Sequence, residues 1–268
     1  MEFSIEITLP SGKQCRVNEL NNRDYLTIIK FAQNEDYVGL SQMFDNLFIE
    51  PDMNIFDRFY LLIYIRMMFI EGSISLTVGD RQVELQLATI LDKLEASYVD
   101  LETTFEYNGI EVVLDIPCVT FYSSVDDFFI STIKSVKIAD KVLTFNMLSS
   151  IEQAEVIDNL PAPILDYITK YISTIKSNLL DITLIEANED VGVERASIDV
   201  IGNGVIQFVT NIFSTNLESF YSLIYSFQNT ILPGSNLFFE ISPIESKIIL
   251  NAHSKRVKEE NEKLQKQK

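Results

Sequence analysis

The residue types that most often carry enzymatic or metal chemistry are few and far apart in this sequence. The chain has one histidine, His253, and two cysteines, Cys15 and Cys118. A zinc site takes three or four Cys, His or carboxylate ligands, and nucleophilic catalysis takes a base beside the nucleophile. His253 lies beside a charged segment and is predicted to be solvated. The cysteines are predicted to be two buried thiols in a reducing compartment, and no metal site is expected.

Short motifs add little to this picture. Ser-x-x-Lys occurs twice, beginning at Ser131 and Ser173, but Ser-Asp-Asn and Lys-Thr-Gly are missing. Gly202 and Gly204 lack the third glycine of a dinucleotide-binding loop. We therefore predict no catalytic and no cofactor-binding residue. The abundant carboxylates leave one alternative open, a hydrolase or transferase with paired acids between two subdomains.

The charge balance limits the partners. The chain has 39 acidic and 21 basic residues, a net charge of −18 and a pI of 4.4. Binding to nucleic acid or to anionic membranes relies on Lys and Arg, so neither partner is expected. An acidic surface keeps a protein soluble and can also attract a basic partner. The N-terminal sequence MEFSIEITLPSGK has no apolar signal region, which predicts a cytoplasmic protein.

The most apolar stretch is FDRFYLLIYIRMMFIEG at residues 56–72. A membrane span needs about 20 apolar residues, whereas this segment has a shorter run that Arg66 interrupts. A helix that is apolar on most sides is buried by several neighbours. We therefore predict a central core helix, with Arg66 as a structural charge at its edge beside an acid.

The rest of the sequence up to residue 145 predicts β-hairpins and helices. Asn108 and Gly109 form the strongest hairpin signal, because both tolerate positive φ, and their turn pairs Tyr107 with Ile110, Phe105 with Val112 and Leu101 with Ile116. Other predicted hairpins cover residues 3–17, 73–85 and 134–145, the last around Ala139 and Asp140. Predicted helices cover residues 21–33, 36–48 and 87–95; the second has Leu40, Met43, Phe44 and Leu47 on one face.

After residue 146 the apolar period is mainly helical. Ser150 and Gln153 are predicted to form a capping box, followed by helices at 164–180, 198–214 and 216–231. Residues 186–197 are predicted to be an acidic loop. The overall fold class is α+β: a helical N-terminal bundle with antiparallel β-hairpins in domain 1–145, a mainly helical domain 146–254, and a charged tail 255–268 predicted to be a solvated helix end or a docking segment.

An ordered set of motifs runs from residue 5 to residue 95. It consists of a Leu-Pro-Ser-Gly turn, an Arg-Asp-Tyr-Leu helix, a Gly-Leu then Phe-Asp helix, and a very apolar helix that holds one arginine. The segments are LPSGKQCRVNELNNRDYLTIIKFAQNEDYVGLSQMFDNLF, FDRFYLLIYIRMMFI and VELQLATILDKLE. In this order they resemble the baseplate hub proteins of T-even-type contractile-tailed bacteriophages.

The resemblance implies a non-enzymatic bacteriophage protein that builds or assembles the central hub of the tail baseplate through protein–protein interactions. Its implied partners are other phage tail and baseplate hub proteins. Its implied place is the host bacterial cytoplasm during assembly and, for those hub proteins that stay in the particle, the virion tail baseplate. The carboxylate enzyme and a host-directed adaptor remain alternatives. The choice of hub partner, an assembly-chaperone role and the oligomeric state remain open.

Overall fold

A computed structural model describes residues 4–50, 52–78, 81–98, 103–118, 121–180, 203–213, 217–231 and 236–266. The strands in these ranges are β1 (Ser4–Thr8), β2 (Gln14–Asn18), β3 (Ser73–Val78), β4 (Arg81–Gln86), β5 (Thr104–Tyr107), β6 (Ile110–Leu114), β7 (Ile133–Ile138) and β8 (Lys141–Thr144). The helices are α1 (Asn22–Gln33), α2 (Tyr37–Leu47), α3 (Ile55–Phe69), α4 (Leu87–Ser97), α5 (Val125–Ser131), α6 (Ser150–Asp158), α7 (Ala162–Leu180), α8 (Asn203–Phe213), α9 (Leu217–Thr230), α10 (Leu237–Glu240) and α11 (Pro243–Lys266). A 3₁₀ turn covers Phe145–Met147.

The strands form antiparallel hairpins, which confirms the predicted α+β class. β1 pairs with β2, β3 pairs with β4, and β5 to β8 form a four-stranded sheet in chain order. One face of this sheet is buried around Val112 and Val136, which lie opposite each other. The ring of Phe105 stacks on Tyr167 of α7 at 4.5 Å between centroids, so α7 covers that face.

The predicted Asn-Gly hairpin is confirmed in register. Tyr107 lies opposite Ile110 and Phe105 lies opposite Val112. Asn108 and Gly109 have φ values of 52° and 77°, the positive values that a two-residue turn requires. Leu101 of the third predicted pair lies outside the described residues, as do Phe3, the Gly79 turn and the loop 186–197.

Helix α3 lies at the centre of the molecule and confirms the predicted core helix. Asn54 begins it, because its side chain accepts a hydrogen bond from the Asp57 backbone N–H at 3.0 Å. The helix packs against α4, α8 and α11, and its apolar side chains are buried on nearly all sides. Among the described residues, no helix is long and apolar enough to cross a membrane.

Helices α1 and α2 approach each other closely at a glycine. A Cβ atom on Gly39 would lie 2.7 Å from both the Phe31 ring and the Asp36 carboxylate, and Asp36 caps α2 by accepting from the Gly39 N–H at 2.9 Å. Leu40 and Phe44, which belong to the predicted apolar face, are buried. Leu47, at the end of the same predicted face, is exposed.

The C-terminal helices α7, α8 and α9 confirm the predicted helical period. The predicted capping box is off by one residue. Ser149 accepts from the Glu152 N–H, and the Glu152 carboxylate accepts from the Ser149 N–H, so Ser150 is the first helical residue rather than the cap. The tail is helical as predicted, but it continues α11 without a break from Pro243.

Residues from both ends of the chain meet at the start of α1. The side-chain amide of Asn22 donates to the carbonyls of Phe238 and Ile241 at 2.9 and 3.0 Å, and α1 also packs against α8 and α9. The short helix α10 escaped sequence analysis, since four residues carry no periodic pattern. The division near residue 146 stays a prediction.

Replacing Gly109 by Ala should destabilise the protein by about 1–2 kcal/mol, because an L-residue at positive φ is strained. No neighbour lies within 4 Å of the added Cβ, so the cost is conformational and not steric. The matched control is Gly72→Ala, whose Cβ meets only Met67 at 4.0 Å without a positive φ. Urea unfolding of both variants is the measurement. Equal midpoints would contradict the assigned turn.

Candidate protein-interaction surface

Arg66 is a buried side chain whose hydrogen bonds link separate segments of the chain. It lies in the last turn of α3, and its Nε donates to the Ile212 carbonyl at 2.8 Å. Its two terminal nitrogens donate to the carbonyls of Glu71 and Ser73 at 2.6 and 3.3 Å. The predicted acid is Glu71, whose carboxylate lies 3.9 Å away. Burial lowers the pKa of the guanidinium, while the charges of Tyr25 and Glu71 act in the opposite direction.

Two further charged residues near the start of α3 are also buried and paired. Asp57 accepts hydrogen bonds from the backbone N–H and the hydroxyl of Ser11 at 3.0 and 2.7 Å. Arg58 donates to the Asp45 carboxylate at 2.6 Å and to the Met53 carbonyl at 2.8 Å. These charges fasten the β1–β2 turn and the end of α2 to α3, which is a structural use.

The two cysteines and the histidine do not form a common site, and they differ in how deeply they are buried. Cys15 is buried, and burial raises the pKa of its thiol to about 11. Cys118 is half-buried, so the prediction of two buried thiols is wrong for it, and burial again raises its pKa. His253 is half-buried on α11. Within the described ranges, no group of three His, Cys, Asp or Glu could hold a metal ion.

Two acids from opposite ends of the chain approach each other. Burial raises the pKa of the Glu19 carboxyl, a hydrogen bond with Ser242 opposes this, and the charge of Glu245 adds to the rise. Glu245 caps α11: its carboxylate accepts from the Ser242 N–H at 3.1 Å, and its own N–H donates to the Ser242 hydroxyl. We therefore assign this pair to the cap of α11.

Within the described residues, β8 and α6 carry apolar side chains that the core does not cover. We call residues 141–158, which comprise β8, the turn Phe145–Met147 and α6, the β8–α6 surface. Helix α6 has no buried residue. The exposed fractions of Met147 and Ile151 are 83% and 74%, and Val142, on the other face of the sheet, is 58% exposed. Exposed apolar side chains in one region mark sites where proteins associate.

A groove separates α6 from the sheet. Its volume is about 340 Å³, within the size range of sites that bind ligands. The sheet contributes Ile110, Ile138, Lys141 and Leu143, and the opposite wall contributes Leu148, Glu152, Glu155, Val156, Asn159 and Leu160.

The two acids of the groove differ in their surroundings. Hydrogen bonds from the backbone and the hydroxyl of Ser149 lower the pKa of Glu152, and the positive charge of Lys141 adds to this effect. Glu155 is exposed, and within the described part of the chain its carboxylate has no ion-pair partner. The groove therefore combines an apolar floor with one available negative charge.

Sequence reasoning did not find this surface. The apolar residues of α6, Ile151, Val156 and Ile157, resemble those of any packed helix, and only the structure shows that none of them is buried. A weak signal was present: α6 has three carboxylates and no Lys or Arg in its nine residues.

Comparison with known families adds the decisive observation. The model of the T4 bacteriophage base plate protein family matches residues 1–203. The chain belongs to this family. No curated protein and no solved structure matches it. It is therefore a phage baseplate protein, which confirms the broad class of the resemblance.

Replacing Arg66 by Met should destabilise the baseplate protein by about 3 kcal/mol, because three carbonyls lose a charged donor in a buried site. The control is Arg256→Met, where 79% of the arginine side chain is exposed and the ion pair with Glu260 is superficial; its effect should stay below about 1 kcal/mol. Chemical unfolding gives both values. A stable Arg66→Met protein would show that the tie is dispensable.

Glu19→Gln should stabilise the protein at pH 7. The folded state binds a proton at Glu19 more tightly than the unfolded state, because its pKa is raised on folding. Protonation of Glu19 therefore stabilises the folded state fully at pH values below the unfolded-state pKa. This stabilisation is lost as the pH rises through the folded-state pKa. The stability gained by the variant should vanish below the ordinary glutamate pKa of 4.5. Glu84→Gln, at an exposed position, is the control, and equal behaviour of both variants would contradict the assignment.

Deleting residues 255–268 should change the melting temperature by less than about 2 °C, because exposed helical charge pairs contribute only tenths of a kcal/mol. The tail side chains from 255 to 263 are exposed. Deleting residues 243–268 should instead cause a large loss, since it removes the buried Ser246 and the start of α11. Thermal unfolding followed by circular dichroism distinguishes the two. If the protein that lacks only residues 255–268 is unfolded, the tail belongs to the core.

Proposed function

We propose that this baseplate protein is a non-enzymatic component of the central hub or a factor in hub assembly, and that it joins other baseplate proteins through the β8–α6 surface. The observation that carries the proposal is a helix with no buried residue beside an edge strand, in a chain of the baseplate family. Unburied apolar groups at such a place become favourable contacts when a partner covers them.

Support for the hub comes from the residues that carry the resemblance to hub proteins. Ser11 of the Leu-Pro-Ser-Gly turn binds Asp57, and Asp45 of the Phe-Asp pair binds Arg58. Tyr25 of the Arg-Asp-Tyr-Leu helix donates to the Phe213 carbonyl at 3.2 Å. The residues of the motifs thus hold the segments of this chain together, so we take the resemblance to hub proteins as a guide to the partner class.

The proposed sequence of events begins in the cytoplasm of the infected host, where the protein meets its hub partners. An acidic net charge of −18 keeps the free protein soluble and attracts partners with basic surfaces. A hub component then stays in the tail baseplate, whereas an assembly factor is released.

The test combines mass spectrometry of purified virions with pull-down from infected cells. Recovery of central hub proteins in the pull-down is the expected result. Presence in the virion identifies a structural component, and presence in the lysate alone identifies an assembly factor. Recovery of peripheral baseplate proteins without hub proteins would overturn the hub assignment.

A double variant tests the surface itself. Met147→Ser with Ile151→Ser removes two exposed apolar side chains and should abolish recovery of the partners while the protein stays folded. Ile248→Ser is the matched control, since Ile248 is also exposed but lies on α11. Equal recovery with the double variant and the control would show that partners bind elsewhere.

A further inference from the structure

The edge strand β8 is oriented to accept another strand. Ile138 and Lys141 lie opposite each other across the two-residue turn of Ala139 and Asp140. The pair that flanks such a turn is hydrogen-bonded, and the pairs then alternate along the hairpin. Val142 and Thr144 therefore direct their backbone N–H and C=O groups away from β7. Among the described strands, β7 is the only neighbour of β8.

We propose that β8 binds an extended segment of another baseplate protein by strand addition, and that this segment alternates apolar residues and carries a Lys or Arg. The inference rests on the proposed function in taking a baseplate protein as the source of the strand. Main-chain hydrogen bonds to an open edge supply affinity in this binding mode, and pockets for alternate side chains supply specificity.

The groove supplies the pockets. Leu143 and Lys141 face it from β8, whereas Val142 points to the opposite face of the sheet, because strand side chains alternate. A strand added beside β8 would place every second side chain over the groove, against Leu148, Val156 and Leu160. The other side chains would lie beside Val142 and Thr144, where apolar or β-branched residues suit the exposed valine.

The negative charge of α6 favours a binding segment that carries a positive charge. Glu155 is the groove carboxylate without a described partner, and Asp158 brings the acids of α6 to three, in a helix that has no base. Lys141 lies on the sheet side near Glu152, so the basic residue of the incoming strand belongs on the α6 side. Residues 181–202 of this chain have six carboxylates and one arginine, which makes them a poor occupant by repulsion.

The experiment uses an array of overlapping ten-residue peptides that covers the other baseplate proteins of the phage, probed with the full-length protein. Bound peptides should alternate apolar residues and contain Lys or Arg. Val142→Pro removes an outward N–H without touching the β7 pairing, so it should weaken the bound peptides at least about tenfold. Val142→Thr keeps the N–H and the shape and should bind as the wild type does.

A second variant tests charge away from the strand backbone. Glu155→Lys should lose the basic peptides, and its melting temperature should match that of the wild type because Glu155 is exposed. This variant keeps the test valid if Val142→Pro fails to fold. An array without binding, a preference for acidic peptides, or binding that both variants leave unchanged would overturn strand addition.

The outcomes separate this inference from the proposed function. If hub proteins are recovered from infected cells equally by Val142→Pro and by the wild type, the hub assignment stands and strand addition fails. If basic peptides from peripheral baseplate proteins bind in a Val142-dependent way while hub proteins are not recovered, strand addition stands and the hub assignment fails.

Discussion

The rest of the structure depends on one constraint, that the charged side chains of α3 must be paired inside an apolar core. Removing a guanidinium or a carboxylate from water costs several kcal/mol unless hydrogen bonds replace the lost hydration. Asp57 obtains them from Ser11 of the β1–β2 turn, Arg58 from Asp45 of α2, and Arg66 mainly from backbone carbonyls, including that of Ile212 in α8. Each pairing fixes the position of a different segment against α3.

Because α3 and its neighbours are held by these hydrogen bonds, exposed apolar side chains such as those of the β8–α6 surface lie at the periphery. β8 is the last strand of the four-stranded sheet, and α6 is anchored to the turn that follows β8 through Gln153, which donates to the Phe145 carbonyl at 2.8 Å. Helix α6 has no fully buried residue, and only Val156 and Ile157 pack partly against the core. The same division suits a protein that must keep its shape while it is joined to others, because a rigid scaffold loses little conformational entropy on binding.

The sequence predicts the parts of this fold that rest on local rules. Asn108 and Gly109 fix a turn through backbone sterics, and the apolar period of α3 marks a buried helix. Local rules cannot predict the partners of Arg66, because Ile212 is 146 residues away in the chain. Every residue type has a backbone carbonyl, so the sequence does not show which one accepts the hydrogen bond. The exposure of Ile151 was equally out of reach, since burial depends on what the rest of the chain places against a helix. The capping error of one residue reflects two adjacent serines with equivalent chemistry.

The most direct test of the division between a fixed centre and a binding periphery is hydrogen–deuterium exchange of the free protein and of the same protein in purified baseplate assemblies. Backbone amides of α3 should exchange slowly in both states, because the ties to its neighbours are internal to the chain. Peptides that cover residues 141–158 should exchange quickly in the free protein and become protected in the assembly. Protection that appears elsewhere while residues 141–158 stay unprotected, or fast exchange of α3 in the free protein, would contradict the account.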